Sequence, residues 1–386
     1  MDFTLGETQQ EVASLAARVL GAASPAAAPN QPYAGQPGTG PPGTGQPGTG
    51  LPGTGPPDTR ALWKELGQAG LLALALPRWL GGDGLGVMDI AVLLTEIGRA
   101  AAPVPALATL GTGVLPVLRW GSRRTQRALL AGVGTGDSVL TAALREPSDP
   151  MPRAPATIAR LDDGGTVSGI KIGVPYCAMA DRVLVPASLG SGGTGVVVVD
   201  PAADGVSMLR THSSAGQPEY TLRLDEVAIA DVLGGHGDGR AVADLYQLAV
   251  AGACCLADGA LSAALALTTA HIGSRQQFGR PLASFQAVAQ QIADAYIVAR
   301  TFHLATLSAC WRLQTGREAG RDLDVAGYWL AGPAVTALRT CHHLHGGTGM
   351  DASYPLHRFS SLVKDLARFV GGTDYRLDRL AAGVCD

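Results

Sequence analysis

The chain has 386 residues, 46% of them hydrophobic, which is enough to bury a sizeable core and excludes a disordered or fibrous polymer. A formal net charge of -3 leaves no basic surplus to neutralise phosphates, which excludes a general nucleic-acid binder. The opening residues lack a basic leader with an apolar core, and the six cysteines form no C-x-x-C pair, so a cytoplasmic chain with reduced thiols is expected.

Helical periodicity marks residues 6–20 and 59–69. Between them lie four pentads of the form x-Pro-Gly-Thr-Gly, from Gln36 to Gly55, within an insert at 35–57. Proline removes donors and glycine multiplies unfolded conformations, so this tract is expected to be disordered. Gly81-Gly82-Asp83-Gly84-Leu85-Gly86 resembles a phosphate loop, but no strand feeds it and no Gly-Lys-Ser/Thr follows, so an irregular turn is expected. Further helices are predicted over 87–99, 105–120 and 123–131, making residues 1–135 an N-terminal all-α domain.

The pattern changes near Ser138. Short apolar runs at 139–144, 167–172, 182–186, 195–199 and 220–224 alternate with turn residues, and Asp162-Asp163-Gly164-Gly165 reads as a hairpin turn. These predict a middle β-domain, barrel or sandwich, over 136–235. Long helices follow at 240–274, 282–314 and 320–343, with shorter ones after Ser353, so 236–386 is expected to form a C-terminal four-helix bundle. Gly252, Asp258 and Gly259 interrupt the apolar stretch at 248–265, which fits a buried core helix rather than a membrane span. The fold class is α+β, multi-domain.

The most informative motif is Arg275-Gln276-Gln277-Phe278-Gly279-Arg280-Pro281-Leu282, then Ser284-Phe285-Gln286 and, further on, His345-Gly346-Gly347-Thr348-Gly349. Arginine offers a fork of donors for a pyrophosphate, phenylalanine an apolar face, and glutamine both a donor and an acceptor. Glycines permit positive φ and close backbone approach. Each has a plain structural reading too: a positive charge at a helix C-terminus, a core ring, a helix stop. His342, His343 and His345 invite a metal hypothesis, but the first two diverge on a helix and lack carboxylate companions, so no metal site is expected.

With Val167-Ser168-Gly169-Ile170-Lys171 and Ala180-Asp181-Arg182-Val183-Leu184-Val185, these motifs make nearly the whole chain outside the repeats resemble the acyl-CoA dehydrogenase family. The resemblance implies FAD at a dimer interface, its ring against the β-domain of one subunit and its ADP part on the neighbour's bundle. The FAD contacts it implies on this chain are Arg275, Phe278, Gln286, His343, Gly346, Gly347, Gly349 and Thr373. His343 stands where the family usually has glutamine.

The implied reaction removes a weakly acidic proton beside a thioester and therefore needs a positioned carboxylate. The family places that glutamate in a late Glu-Gly-Thr segment or on the helix before Arg275, and the matching positions here are Gly371 and Ala249. Asp244 and Asp258 fall on other faces of that helix, leaving Asp374 as the nearest acid. Arg145-Glu146-Pro147 and Gly173-Val174-Pro175 replace segments whose threonines contact flavin in the family.

The expectation is therefore a subunit without a base of its own, completing the FAD site of a catalytic acyl-CoA dehydrogenase partner in an α2β2 heterotetramer. Such pairs resemble those with which actinobacteria oxidise CoA thioesters of steroid side chains. An acyl-CoA substrate and electron-transfer flavoprotein as acceptor are implied by resemblance alone. Two alternatives stand: a homomeric dehydrogenase or hydratase-like enzyme using Asp374 or another acid, and a non-enzymatic acyl-CoA-binding relative.

Overall fold

A computed structural model describes residues 4–22 and 58–385, except positions 163, 191 and 236. The pentad tract lies outside the described residues. The N-terminal helices are α1 (Glu7–Ala22), α2 (Thr59–Gln68) and α3 (Val87–Arg99), followed by a π-helical turn (Leu107–Val114), α4 (Leu115–Trp120) and α5 (Arg123–Leu130). The helix expected over 105–120 is thus half π. Pro116 follows this turn and Pro333 lies inside a second one, and a proline ring crowds the carbonyl four residues back while removing an amide.

The middle layer comprises β1 (Leu140–Ala142), β2 (Ile158–Arg160), β3 (Thr166–Pro175), β4 (Arg182–Leu189), β5 (Thr194–Val199), β6 (Val206–Thr211) and β7 (Glu219–Leu233). Pairings β4–β2, β2–β3, β3–β7, β7–β5 and β5–β4 close into a ring, with β1 added to β4 and β6 to β7. The sheet is therefore a barrel. β2 and β6 escape the periodicity reading because β2 spans only Ile158–Arg160 and β6 buries no residue completely.

Alternation on β4 and β5 explains their unbroken apolar runs. Val183, Val185, Val197 and Val199 point into the barrel core, whereas Leu184, Val196 and Val198 join the helical core. The barrel wall is buried on both sides.

The C-terminal layer holds α6 (Arg240–Ser274), the hairpin β8 (Gln276–Gln277) and β9 (Arg280–Pro281), and α7 (Gln286–Gln314). Then come α8 (Gly320–Trp329), the second π turn (Leu330–Ala334), α9 (Val335–His345), α10 (Leu356–Phe369) and α11 (Gly372–Cys385). The helix expected over 320–343 is one continuous rod with the π turn at Pro333 in its middle. α6 is apolar enough to cross a membrane by composition, but it is enclosed by α3, α7, α9 and α10. At its crossing with α3 the backbones touch: a Cβ on Gly98 would lie 2.0 Å from Leu256 O, and one on Gly259 1.8 Å from Thr95 O.

Candidate functional site

The end of α6 and the end of α9 form one outward-facing cluster. His271, one turn before Arg275, stacks on His345 at 4.5 Å between centroids and so places Arg275 beside the Gly346–Met350 turn. The Arg275 amide bonds to His271 O at 2.8 Å and its carbonyl accepts from Leu282 N at 2.9 Å, which fixes the β8–β9 hairpin. The guanidinium is exposed and has no carboxylate partner among the described residues.

Phe278 and Gly279 form the hairpin tip with φ of 53° and 79°, the successive left-handed pair of a type I′ turn. Left-handed backbone costs a non-glycine residue about 1–2 kcal/mol. Yet Phe278 is 92% exposed and meets Phe285 only edge-on at 6.2 Å, so it is not a core ring. Gln286, His343, Gly346 and Gly347 are exposed too, and a side chain at Gly346 or Gly347 would meet nothing. Unspent donors, an apolar face and bare backbone fit a dinucleotide's ADP half.

The remaining residues expected in this cluster lie differently. Gly349 is buried, its carbonyl 3.0 Å from His342 Nδ1, and a Cβ there would sit 2.9 Å from that of His345. Thr373 is on the first turn of α11 and packs against Gly332 of the second π turn. His345 lies 2.8 Å from Cys341 O and 3.0 Å from Tyr354 Oη, and burial holds the His271 and His345 rings below the ordinary imidazole range. No group of three His, Cys, Asp or Glu side chains converges for a metal among the described residues.

Inside the chain the arrangement is the reverse. Ala249 is completely buried within α6. Gly371 has φ of 98°, and a Cβ on it would lie 2.5 Å from Tyr375 Cδ1 and 2.9 Å from Pro150 Cγ. Of the other acids, Asp244 accepts from Arg119 and from Trp120 Nε1 at 2.8 Å, and Asp258 faces His303 Nδ1 at 2.8 Å. Asp374 is exposed. Between α3, the first π turn, α6 and α7 lies a cavity of about 10 Å³ lined by Leu94, Gly111, Leu248 and Gly252, room for about one water-sized sphere.

On the barrel side, Glu146 accepts from Lys171 Nζ at 2.7 Å, Thr157 Oγ1 at 2.7 Å, and the amides of Ala156 and Thr157 at 2.7 and 3.0 Å. Lys171 also donates to Pro186 O at 2.8 Å. Burial drives the Glu146 carboxyl up, but these donors outweigh it and hold the group below the usual carboxylate range. This pair serves structure. Arg145 and Gly173 lie together beside Arg368, whose Nη2 donates to both Glu219 oxygens at 2.7 Å and clasps α10 to β7. The Arg145 Nε is buried without a partner, and burial and Arg368 lower its pKa. Neither Arg145 nor the Gly173-Val174-Pro175 segment offers a hydroxyl of the kind expected there from the resemblance.

Several of these features were invisible to sequence reasoning. The Glu146–Lys171 pair, Arg368–Glu219 and the buried Arg376–Asp324 bridge at 2.8 Å each join residues far apart in the chain. The one available hint was Lys171, one of only three lysines, within an apolar strand.

Family profiles match residues 54–137 as the acyl-CoA dehydrogenase N-terminal domain and residues 238–384 as the C-terminal domain. Acyl-CoA dehydrogenase FadE28 of Mycobacterium tuberculosis is 47% identical over 322 residues, covering 83% of this chain and 91% of that protein. FadE27 of the same organism is 32% identical over 337 residues, covering 85% and 88%. Among solved structures, a variant of the Tcur3481-Tcur3483 steroid ACAD superposes with TM-score 0.84 at 32% identity, covering 99% of this chain and 100% of that one. The ChsE4-ChsE5 complex from Mycobacterium tuberculosis gives 0.85 at 28% identity, covering 100% and 99%. With three layers in the expected order and relatives this similar along its length, the chain belongs to the acyl-CoA dehydrogenase family.

Proposed function

We propose that this chain is the non-catalytic subunit of a heteromeric, FAD-dependent acyl-CoA dehydrogenase, assembled as α2β2 with a partner that supplies the glutamate. The observation that carries this reading is an asymmetry. The outward cluster around Arg275 keeps its donors unspent, while the inner base positions are a fully buried alanine and a half-buried glycine whose side-chain space Tyr375 and Pro150 already take. Arg275 would grip the pyrophosphate, Phe278 would lie against the adenosine part, and Gln286, His343 and the Gly346 and Gly347 backbone would close around it. The cofactor, when bound, accepts the hydride from the acyl chain. The residues of this chain hold its far end and orient it toward the neighbour.

The similarity to heteromeric relatives supports a two-gene enzyme, and the steroid ACAD among them supports a CoA thioester of a steroid side chain as substrate. Electron-transfer flavoprotein as acceptor rests on the family resemblance alone. The test is to produce the chain alone and together with the product of an adjacent dehydrogenase-like reading frame, then record visible spectra. Flavin absorbance on co-expression only is the expected result. Bound flavin with turnover in the lone chain overturns it in favour of a homomeric enzyme, and absence of flavin in both preparations favours an acyl-CoA-binding relative.

A further inference from the structure

The loop after Glu146 carries a short buried stretch, Met151-Pro152, between exposed flanks. Glu146 closes it at both ends: its backbone pairs with Asp149 at 2.9 and 3.3 Å, and its carboxylate takes the amides of Ala156 and Thr157. The loop between them buries Met151, only 4% exposed, and Pro152, with Pro150 half-buried against Gly371. Prolines on either side of Met151 remove two amides that burial would leave unpaired, and the Met151 amide bonds to Asp149 Oδ1 at 2.9 Å.

Two phenols serve the segment's carbonyls. Tyr246, one turn before Ala249, donates to Pro152 O at 3.2 Å, and Tyr375, one turn after Gly371, donates to Met151 O at 3.4 Å. Arg376 Nη2 lies 3.4 Å from Met151 Sδ. The segment is thus latched from α6, which carries Ala249, and from α11, which begins just after Gly371, and Pro150 itself limits the space at Gly371.

We propose that Pro150-Met151-Pro152 is the fixed internal occupant of this chain's own acyl site, so that the chain bars a thioester there as well as lacking an acid. This rests on the assignment of Gly371 and Ala249 to the base positions under the proposed function. The distinction is physical. A site that had merely lost its base would still bind substrate unproductively and compete with the working site of the partner; a site filled by its own backbone does not compete.

Methionine oxidation tests the closure. The full chain, alone and with its catalytic partner, is treated with hydrogen peroxide and mapped by peptide mass spectrometry, with the urea-unfolded chain as reference. Met151 is expected to oxidise at least about tenfold more slowly than in the unfolded chain, and octanoyl-CoA is expected to leave that rate unchanged. Oxidation at the unfolded rate, or acceleration by octanoyl-CoA, would make the segment an opening lid and overturn the proposal. Should Met151→Ala fold, the assembled enzyme is expected to keep its flavin and its turnover within about twofold, because this site is not used. A tenfold loss of either in a folded variant would place the segment in a working site. Failure of the subunit assignment appears separately, as flavin and turnover in the lone wild-type chain.

Discussion

Restoring a side chain at position 371 tests the inner geometry directly. Gly371 has φ of 98°, where an L-residue is strained by about 1–3 kcal/mol. A Cβ would also lie 2.5 Å from the Tyr375 ring and 2.9 Å from Pro150, and forcing such contacts in a packed interior costs about 1–3 kcal/mol more. Gly371→Ala is therefore expected to lose about 2–6 kcal/mol, most of what Gly371→Glu loses, because the first carbon rather than the carboxylate is the obstacle. Urea unfolding followed by circular dichroism and tryptophan fluorescence measures both variants against the parent. A Gly371→Ala protein within about 0.5 kcal/mol of the parent would refute the reasoning. So would dehydrogenation of an acyl-CoA by the isolated Gly371→Glu chain.

Four further outcomes are expected. Arg275→Ala should lower flavin occupancy of the assembled enzyme at least about tenfold, with Arg275→Lys recovering only part, because an ammonium lacks the planar fork; equilibrium dialysis against FAD reads both. Asp324→Ala removes the carboxylate that takes Arg376 Nη1 and Arg379 Nε, each at 2.8 Å, and strands a buried guanidinium. A loss of about 3–5 kcal/mol in urea unfolding is expected, much of it recovered by adding Arg376→Met. His271 and His345 are held below the ordinary value of 6.5 by burial, so below that pH the unfolded chain binds more protons than the folded one. Stability should be full above 6.5, fall as the pH drops through the window down to the folded values, and lose most of that slope in a His271→Gln, His345→Gln variant. Asp374→Asn, at an exposed site, should leave turnover of the assembled enzyme within about twofold.

The layer order was legible because long apolar stretches such as α6 exceed any strand, whereas the short apolar runs of β4 and β5 are bounded by turn residues. What escaped depended on distant neighbours. The π turns were hidden because proline in a helical pattern signals disruption without saying that a wider turn absorbs it. β6 eluded the reading because it lies on the barrel's outside and no core demands a pattern from it.

The site divided in the same way. Arg275, Phe278 and Gln286 are readable because the motif is contiguous and the hairpin holds it together. Gly349 belongs to packing rather than to the open face, a difference set by His342 and His345 and not by the glycine itself. Met151 carries no motif, and its place follows from two hydroxyls far down the chain, Tyr375 on its own carbonyl and Tyr246 on that of Pro152.

The two-sided wall of the barrel limits how this molecule can change. Leu184, Val196 and Val198 belong to the same hydrophobic mass as α6 and α3, so β4 and β5 cannot hinge away without peeling oil-like surface into water. Swinging the barrel aside to admit a cofactor ring would therefore cost far more than repacking a surface loop. Change in this scaffold is cheapest at its rims, where loops can vary while the interior stays put.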